Sequence, residues 1–110
     1  MFRRDLIQRA IEELSDAVAR ALKLSRDHQT AEALQCLREA KGALPIVPGM
    51  LEDMAPTTLI EQLGAQPAEA LARVLALEAD LLDQLGRSML ASRPRQQSDQ
   101  LLMQLGRTKG

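Results

Sequence analysis

Aromatic side chains are almost missing from this chain: Phe2 is the only one, and neither Trp nor Tyr occurs among its 110 residues. Sheets favour aromatic and β-branched residues, so the scarcity argues against a β fold. It also removes the stacking platforms on which single-stranded nucleic acids are held. Cysteine is represented by Cys36 alone; an internal disulfide is therefore excluded and a reducing compartment is expected. Histidine is represented by His28 alone, in a stretch that reads as a turn. One cysteine and one histidine are too few soft ligands for a zinc site within a chain, and neither Gln35 nor Leu37 offers Cys36 a cation that would activate its thiol. No apolar run approaches the roughly 18 residues of a membrane span. Arg3, Arg4 and Asp5 charge the N-terminus early, with Glu12 and Glu13 following, which does not fit a signal peptide; the expected location is cytoplasmic. The chain also lacks the phosphate-binding Gly-x-x-x-x-Gly-Lys run, the Gly-x-Ser-x-Gly elbow and the Glu-x-x-His pair of di-iron bundles.

Leucine and alanine are abundant, within a hydrophobic content of 45%. At this length the chain is one domain, and its apolar periodicity predicts an all-α array or bundle of four to five helices. With residues placed at about 100° steps, Ile7, Ile11, Leu14, Val18 and Leu22 share one side of the first helix. Leu6, Ala10, Ala17, Ala21 and Leu24 widen that side to an arc of roughly 160°, more than the ~100° one packed face needs. Helix 1 should therefore meet two neighbours. A second helix starts after Asp27-His28-Gln29-Thr30, with Asp27 or Thr30 as its expected cap and Ala33, Leu34, Leu37, Ala40 and Leu44 inward. Gly42 and Pro45 mark its end.

Residues 5–26 and 30–44 thus form a helical hairpin, 45–57 a proline-rich connector, 58–106 a second helical half, and 107–110 a frayed tail. Within the connector, Ile46 and Val47 are expected to tuck against the hairpin. Thr57 or Thr58 should cap a short helix ending at Gly64, with Glu61 completing a capping box if Thr58 is the cap. Pro67 should open a long helix to Leu85, striped by Leu71, Val74, Leu75, Leu82 and Leu85 and widened by Ala70, Leu77, Ala79 and Leu81. Pro94 should interrupt any helix continuing from Arg87, and Ser98 should cap a last helix with Leu101, Leu102 and Leu105 inward.

Ala33, Leu37, Ala40 and Pro45 have the spacing of the second helix of a tetratricopeptide repeat, where small alanines permit close helix approach. Ala21 and Leu24 fall where the first helix of that repeat carries a small and then a large apolar residue. The hairpin therefore resembles a tetratricopeptide repeat, although Ala17 stands at the usual tryptophan position and Thr30 replaces a customary aromatic. A weaker echo runs through Ala79, Leu82, Leu85-Gly86 and Ala91. The opening from Met1-Phe2-Arg3-Arg4-Asp5 to Arg9-Ala10-Ile11-Glu12 resembles the start of a group of short, uncharacterised bacterial helical proteins. The resemblance implies an antiparallel helical hairpin for the first part of the chain.

Catalytic chemistry has one candidate. Glu12, Glu13 and Asp16 share a helix surface, and acidic pairs at such spacing hold magnesium in all-helical nucleotide pyrophosphatases, whose pattern is similar to Glu-Glu-x-x-Glu and then Glu-x-x-Asp. Here Asp16 replaces the third glutamate, and Glu78, Asp80 and Asp83 do not supply the second motif, so a solvated face paired with Arg9 and Arg20 is the preferred reading. No metal ligand or cofactor is assigned.

Charge is distributed unevenly. Residues 1–44 carry 8 basic and 7 acidic side chains, residues 45–86 carry 1 and 7, and residues 87–110 carry 5 and 1. A basic tail beside an acidic middle can bind its own chain or a sister subunit as easily as DNA; self-association is preferred and nucleic acid disfavoured. Arg93-Pro94-Arg95 should form a solvated loop. The wide apolar arcs on the first and fourth helices lead to the expectation of a homo-oligomer. The predicted function is a non-catalytic helical interaction or scaffold protein that self-associates and binds a protein partner, with the magnesium-dependent nucleotide hydrolase as the alternative.

Two charges misfit their helices. Lys41 falls inside the apolar stripe of the second helix, between the directions of Leu34 and Leu37. Glu78 falls among the leucines of the helix after Pro67. A lone charge on a packed face is costly, so each must be paired, neutralised or carried to a rim by its stem. If the two faces meet, Glu78 and Lys41 can pair; Arg20 and Arg38 are rival partners for Glu78, and escape to solvent is the more ordinary outcome.

Overall fold

A computed structural model describes residues 4–44 and 50–109. Among these, five α-helices succeed one another without a strand: α1 (Arg4–Arg26), α2 (Thr30–Gly42), α3 (Pro56–Leu63), α4 (Ala65–Gln84) and α5 (Ser88–Lys109), with a short 3-10 turn at Leu51–Asp53 before α3. The fold is all-α, as the apolar periodicity requires. Its radius of gyration, 13.4 Å, is close to the ~13 Å of a closed domain of this size.

Helix α4 is the centre. It contacts α1, α2, α3 and α5, most extensively α5, and ten of its residues are buried, Glu78 among them. Helix α1 packs on both α2 and α4, the two neighbours its wide arc demands. Ala10, Leu14, Ala17 and Ala21 line the buried side of α1, facing a core that includes Ala33, Leu37, Leu71, Val74 and Leu101. The main stripe of α4, Leu71, Val74, Leu75 and Leu82, is covered within one chain, while Ala70 and Leu77 are only half-buried and Leu85 is exposed. On α1, Leu6 and Leu22 are each 42% exposed.

The helix ends are set by backbone more than by caps. After α1, the Gln29 amide donates to the Leu24 carbonyl and the His28 amide to that of Ser25, with His28 at φ 63°. The same closure ends α4, where Arg87 donates to Leu82 and Gly86, at φ 74°, donates to Asp83. Both are the six-to-one and five-to-two bonds that satisfy orphan carbonyls through a left-handed residue. His28 is exposed and occupies the position where glycine is usual; its role is in the turn. The expected caps are not used. The residue before α2 is Gln29, with no side-chain cap; Thr30 is already the first helical residue, and its hydroxyl donates to Gln84 on α4 at 3.5 Å. Helix α3 starts at Pro56 after Ala55, without help from Thr57 or Thr58, since proline at the first position has no amide to satisfy. Helix α4 starts two residues before Pro67, at Ala65; the missing amide still falls among the first four, which lack an intrahelical partner in any case.

The largest departure is α5. Pro94 lies inside it and Ser98 is not a cap: the helix runs unbroken through both and past Gly106 to Lys109, in place of a frayed tail. Proline there withdraws the donor to the Leu90 carbonyl, a cost of about 3 kcal/mol in an isolated helix. Packing on α4 outweighs it. Ala91, Leu101 and Leu105 are buried in the core, and the Ser98 hydroxyl, also buried, donates to the Ala72 carbonyl at 2.7 Å. Leu102, by contrast, is exposed rather than inward, and so is Leu85 at the end of α4. Pro45, Ile46 and Val47 lie outside the described residues.

Candidate functional site

The two misfit charges meet. Lys41 sits in the last turn of α2 and Glu78 on the inner face of α4, and the Lys41 Nζ donates to the Glu78 Oε1 at 2.6 Å, with the side chains 16% and 8% exposed. Because α2 and α4 pack directly, two charges each embedded in an apolar stripe are brought face to face, and each satisfies the other. Among the described residues, Arg20 and Arg38 form no ion pair with Glu78. Both side chains border the same opening, and the longer, flexible lysine stem leaves its side chain the more exposed of the two.

That opening is a cavity of about 320 Å³ between α2, α4 and α5, at the lower end of the range for binding sites. Arg38 and Lys41 line it from α2, Leu75, Glu78 and Leu82 from α4, and Met89, Leu90, Arg93, Pro94 and Gln97 from α5. Met89 is 92% exposed and Leu90 58%, so the lip on α5 is apolar and uncovered. Three cations face one carboxylate. Arg93 is drawn outward to Asp53 at 3.3 Å, an exposed pair worth under ~1 kcal/mol; Arg38 forms no ion pair among the described residues. The result is a cleft of mixed walls, with leucine and methionine side chains beside a positive rim.

The lip is held firmly. Arg95 donates to Asp80 at 3.0 Å and to Asp83 at 2.8 Å, stapling α5 to α4. The hydrogen bond from Arg95 lowers the pKa of the Asp83 carboxyl, helped by a second from Ser88 and opposed by partial desolvation; the same contacts raise the pKa of Arg95. Gln97 donates to the Leu51 carbonyl at 2.9 Å, tying the 3-10 turn to α5. Arg93 and Arg95, expected in a solvated loop, are therefore helical and paired with the acidic middle of their own chain.

The remaining candidates are spread elsewhere. Ala33 and Leu37 are fully buried and Ala40 nearly so, within the α2 face that meets α1 and α4. Glu13 and Asp16 line a separate, shallower groove with Arg20, Cys36 and Glu39, whereas Glu12 does not. Among the described residues no three His, Cys, Asp or Glu side chains are grouped to hold a metal ion, and no helix is long and apolar enough to cross a membrane. Cys36 is half-buried, its thiol 3.9 Å from the Ala17 carbonyl.

Met89, Leu90, Arg93 and Gln97 do not stand out in the sequence. They fall on one side only if the helix is carried through Pro94, and the i, i+4, i+7 spacing of Leu90, Pro94 and Gln97 is the signal that could have shown it. Comparison with protein-family models, with curated proteins and with solved structures finds no match.

Proposed function

We propose that this chain is a non-catalytic, self-associating interaction protein whose α2–α4–α5 cleft takes a segment of a protein partner bearing both acidic and apolar side chains. The observation that carries the reading is the exposed Met89–Leu90 lip beside Arg38, Lys41 and Arg93. Flexible methionine suits a contact surface that must adapt, and a cationic rim steers and orients acidic partners. The α1–α2 hairpin, with its alanines at the crossing, acts in this reading as a tetratricopeptide-like support for the cleft. The single Cys36 is in keeping with a reducing, cytoplasmic setting.

Selection from a random peptide library tests it. Enriched peptides should place Asp or Glu next to Leu, Met or Phe, should shift the methyl resonance of Met89, and should lose at least about tenfold in affinity against Arg38→Glu, roughly 1.4 kcal/mol. Absence of enrichment, or binding indifferent to Arg38, overturns the reading.

A further inference from the structure

The Lys41–Glu78 pair is part of the wall of the cleft, and its two members do not exhaust each other. An ammonium has three hydrogens to donate, and a carboxylate has two oxygens that accept. The Lys41 Nζ donates to the Glu78 Oε1, and among the described residues neither side chain has a second hydrogen-bond partner. The Glu78 Oε2 is therefore unpartnered on a side chain that is only 8% exposed. That oxygen is not sealed in the core, because no fully buried side-chain nitrogen or oxygen among the described residues lacks a partner. The open space that Glu78 lines is the cleft. A spare donor on Lys41 and a spare acceptor on Glu78 thus border it together. Leu75 and Leu82, one turn to either side of Glu78 on α4, line the same space.

We infer that this pair reads an amide: a carboxamide or a peptide bond of the bound segment, whose carbonyl accepts from Lys41 and whose N–H donates to the Glu78 Oε2. The inference rests on the cleft being the contact site proposed above, and it adds a neutral polar group to the acidic and apolar ones already assigned to the partner. Chemistry eliminates the rivals. A hydrocarbon would cover both groups and bond neither, and a covered donor or acceptor left unpaired costs its full desolvation. A carboxylate is attracted by Lys41 and repelled by Glu78, and an ammonium meets the reverse. A pair with no net charge therefore favours a neutral group that donates and accepts at once. The flanking leucines favour an amide carried on an apolar chain, and the acid of the partner belongs further out, at Arg38.

Titration of the full chain with small neutral probes, followed by nuclear magnetic resonance, tests the inference. Isocaproamide, a branched apolar chain ending in a primary amide, should shift the methyl resonance of Met89. It or its N-methyl derivative should bind at least about fivefold more tightly than methyl isocaproate, which keeps the carbonyl and lacks the N–H. Tighter binding of the primary amide assigns an asparagine or glutamine side chain, and tighter binding of the N-methyl amide assigns a peptide bond. In Lys41→Met/Glu78→Leu, which removes both charges together, the preference for amide over ester should vanish. If that variant fails to fold, the Nζ resonance of Lys41 in the wild type decides, by moving with the amide and not with the ester. No shift of Met89 with any probe, equal affinity for amide and ester, or a preference that survives the double substitution would overturn the inference. These probes carry no acid, so their failure leaves the partner cleft to be judged by its own peptide selection against Arg38→Glu.

Discussion

Removing either partner of the Lys41–Glu78 pair should destabilise the fold, but by different amounts. The pair is short, at 2.6 Å, and its side chains are 16% and 8% exposed. Breaking a fully buried pair from one side costs about 3–5 kcal/mol, and breaking a surface pair under ~1. Glu78→Ala leaves an ammonium whose stem can extend into the adjoining cleft, so the orphaned charge is partly rehydrated. With the lost methylene packing included, the expected cost is about 2–3 kcal/mol. Lys41→Met keeps the stem volume but leaves the more deeply buried carboxylate, 8% exposed, without its cation, for about 3–4 kcal/mol. In the double variant neither charge is left alone, so its cost should fall short of the sum of the singles by at least ~1.5 kcal/mol. Urea denaturation monitored by far-ultraviolet circular dichroism, at one protein concentration because assembly adds to apparent stability, gives all four corners of the cycle. Unchanged slopes would show that the same surface is exposed on unfolding. Additivity within about 0.5 kcal/mol, or single costs below ~1, would refute the pairing as a buried interaction.

Three further perturbations probe packing, helix continuity and the Arg95 staple. Ala33→Leu, at a position with no exposed surface, should overpack the hairpin by roughly 1–3 kcal/mol, and Ala40→Leu by somewhat less because 8% of it is open; equal denaturation midpoints for both variants and the wild type would contradict the close approach of α2. Pro94→Ala should restore the helical donor to Leu90 and raise stability by about 1 kcal/mol or more, measured by the same urea curves, since the backbone around it is already helical. Asp83 has a folded pKa below its unfolded value because of Arg95. Its contribution is present above the ordinary carboxyl range and is lost as pH falls through the depressed value, so Arg95→Gln should flatten the acid limb of the thermal midpoint below about pH 4.

Much of the helical layout was legible because it depends on short-range periodicity. The arc of α1 foretold two neighbours, and the embedding of Lys41 and Glu78 in apolar stripes marked each as a charge needing a partner or a route to solvent, without deciding between the two. The illegible features depended on partners distant in sequence. Pro94 and Ser98 carry strong local signals for a break and a cap, yet α4 supplies a packing surface and the Ala72 carbonyl that reverse both. Thr30, expected as a cap, is the first residue inside α2 and points its hydroxyl to Gln84 on α4. The cleft was hidden for that reason: Met89 and Leu90 become its lip only when α5 is continuous through Pro94, and Arg38 becomes its wall only when α2 and α5 are seen to flank one opening.

The central claim, that the α2–α4–α5 cleft is where this protein meets its partner, is tested most directly inside its native cells. A photo-cross-linking amino acid at position 89, on the exposed lip, should give a discrete adduct with a second protein, and the same group at position 99, exposed on α5 but outside the cleft, should not. The position-89 adduct should vanish when Arg38→Glu reverses the charge of the rim. No adduct at 89, or equal adducts at 89 and 99 that persist in Arg38→Glu, would contradict the account.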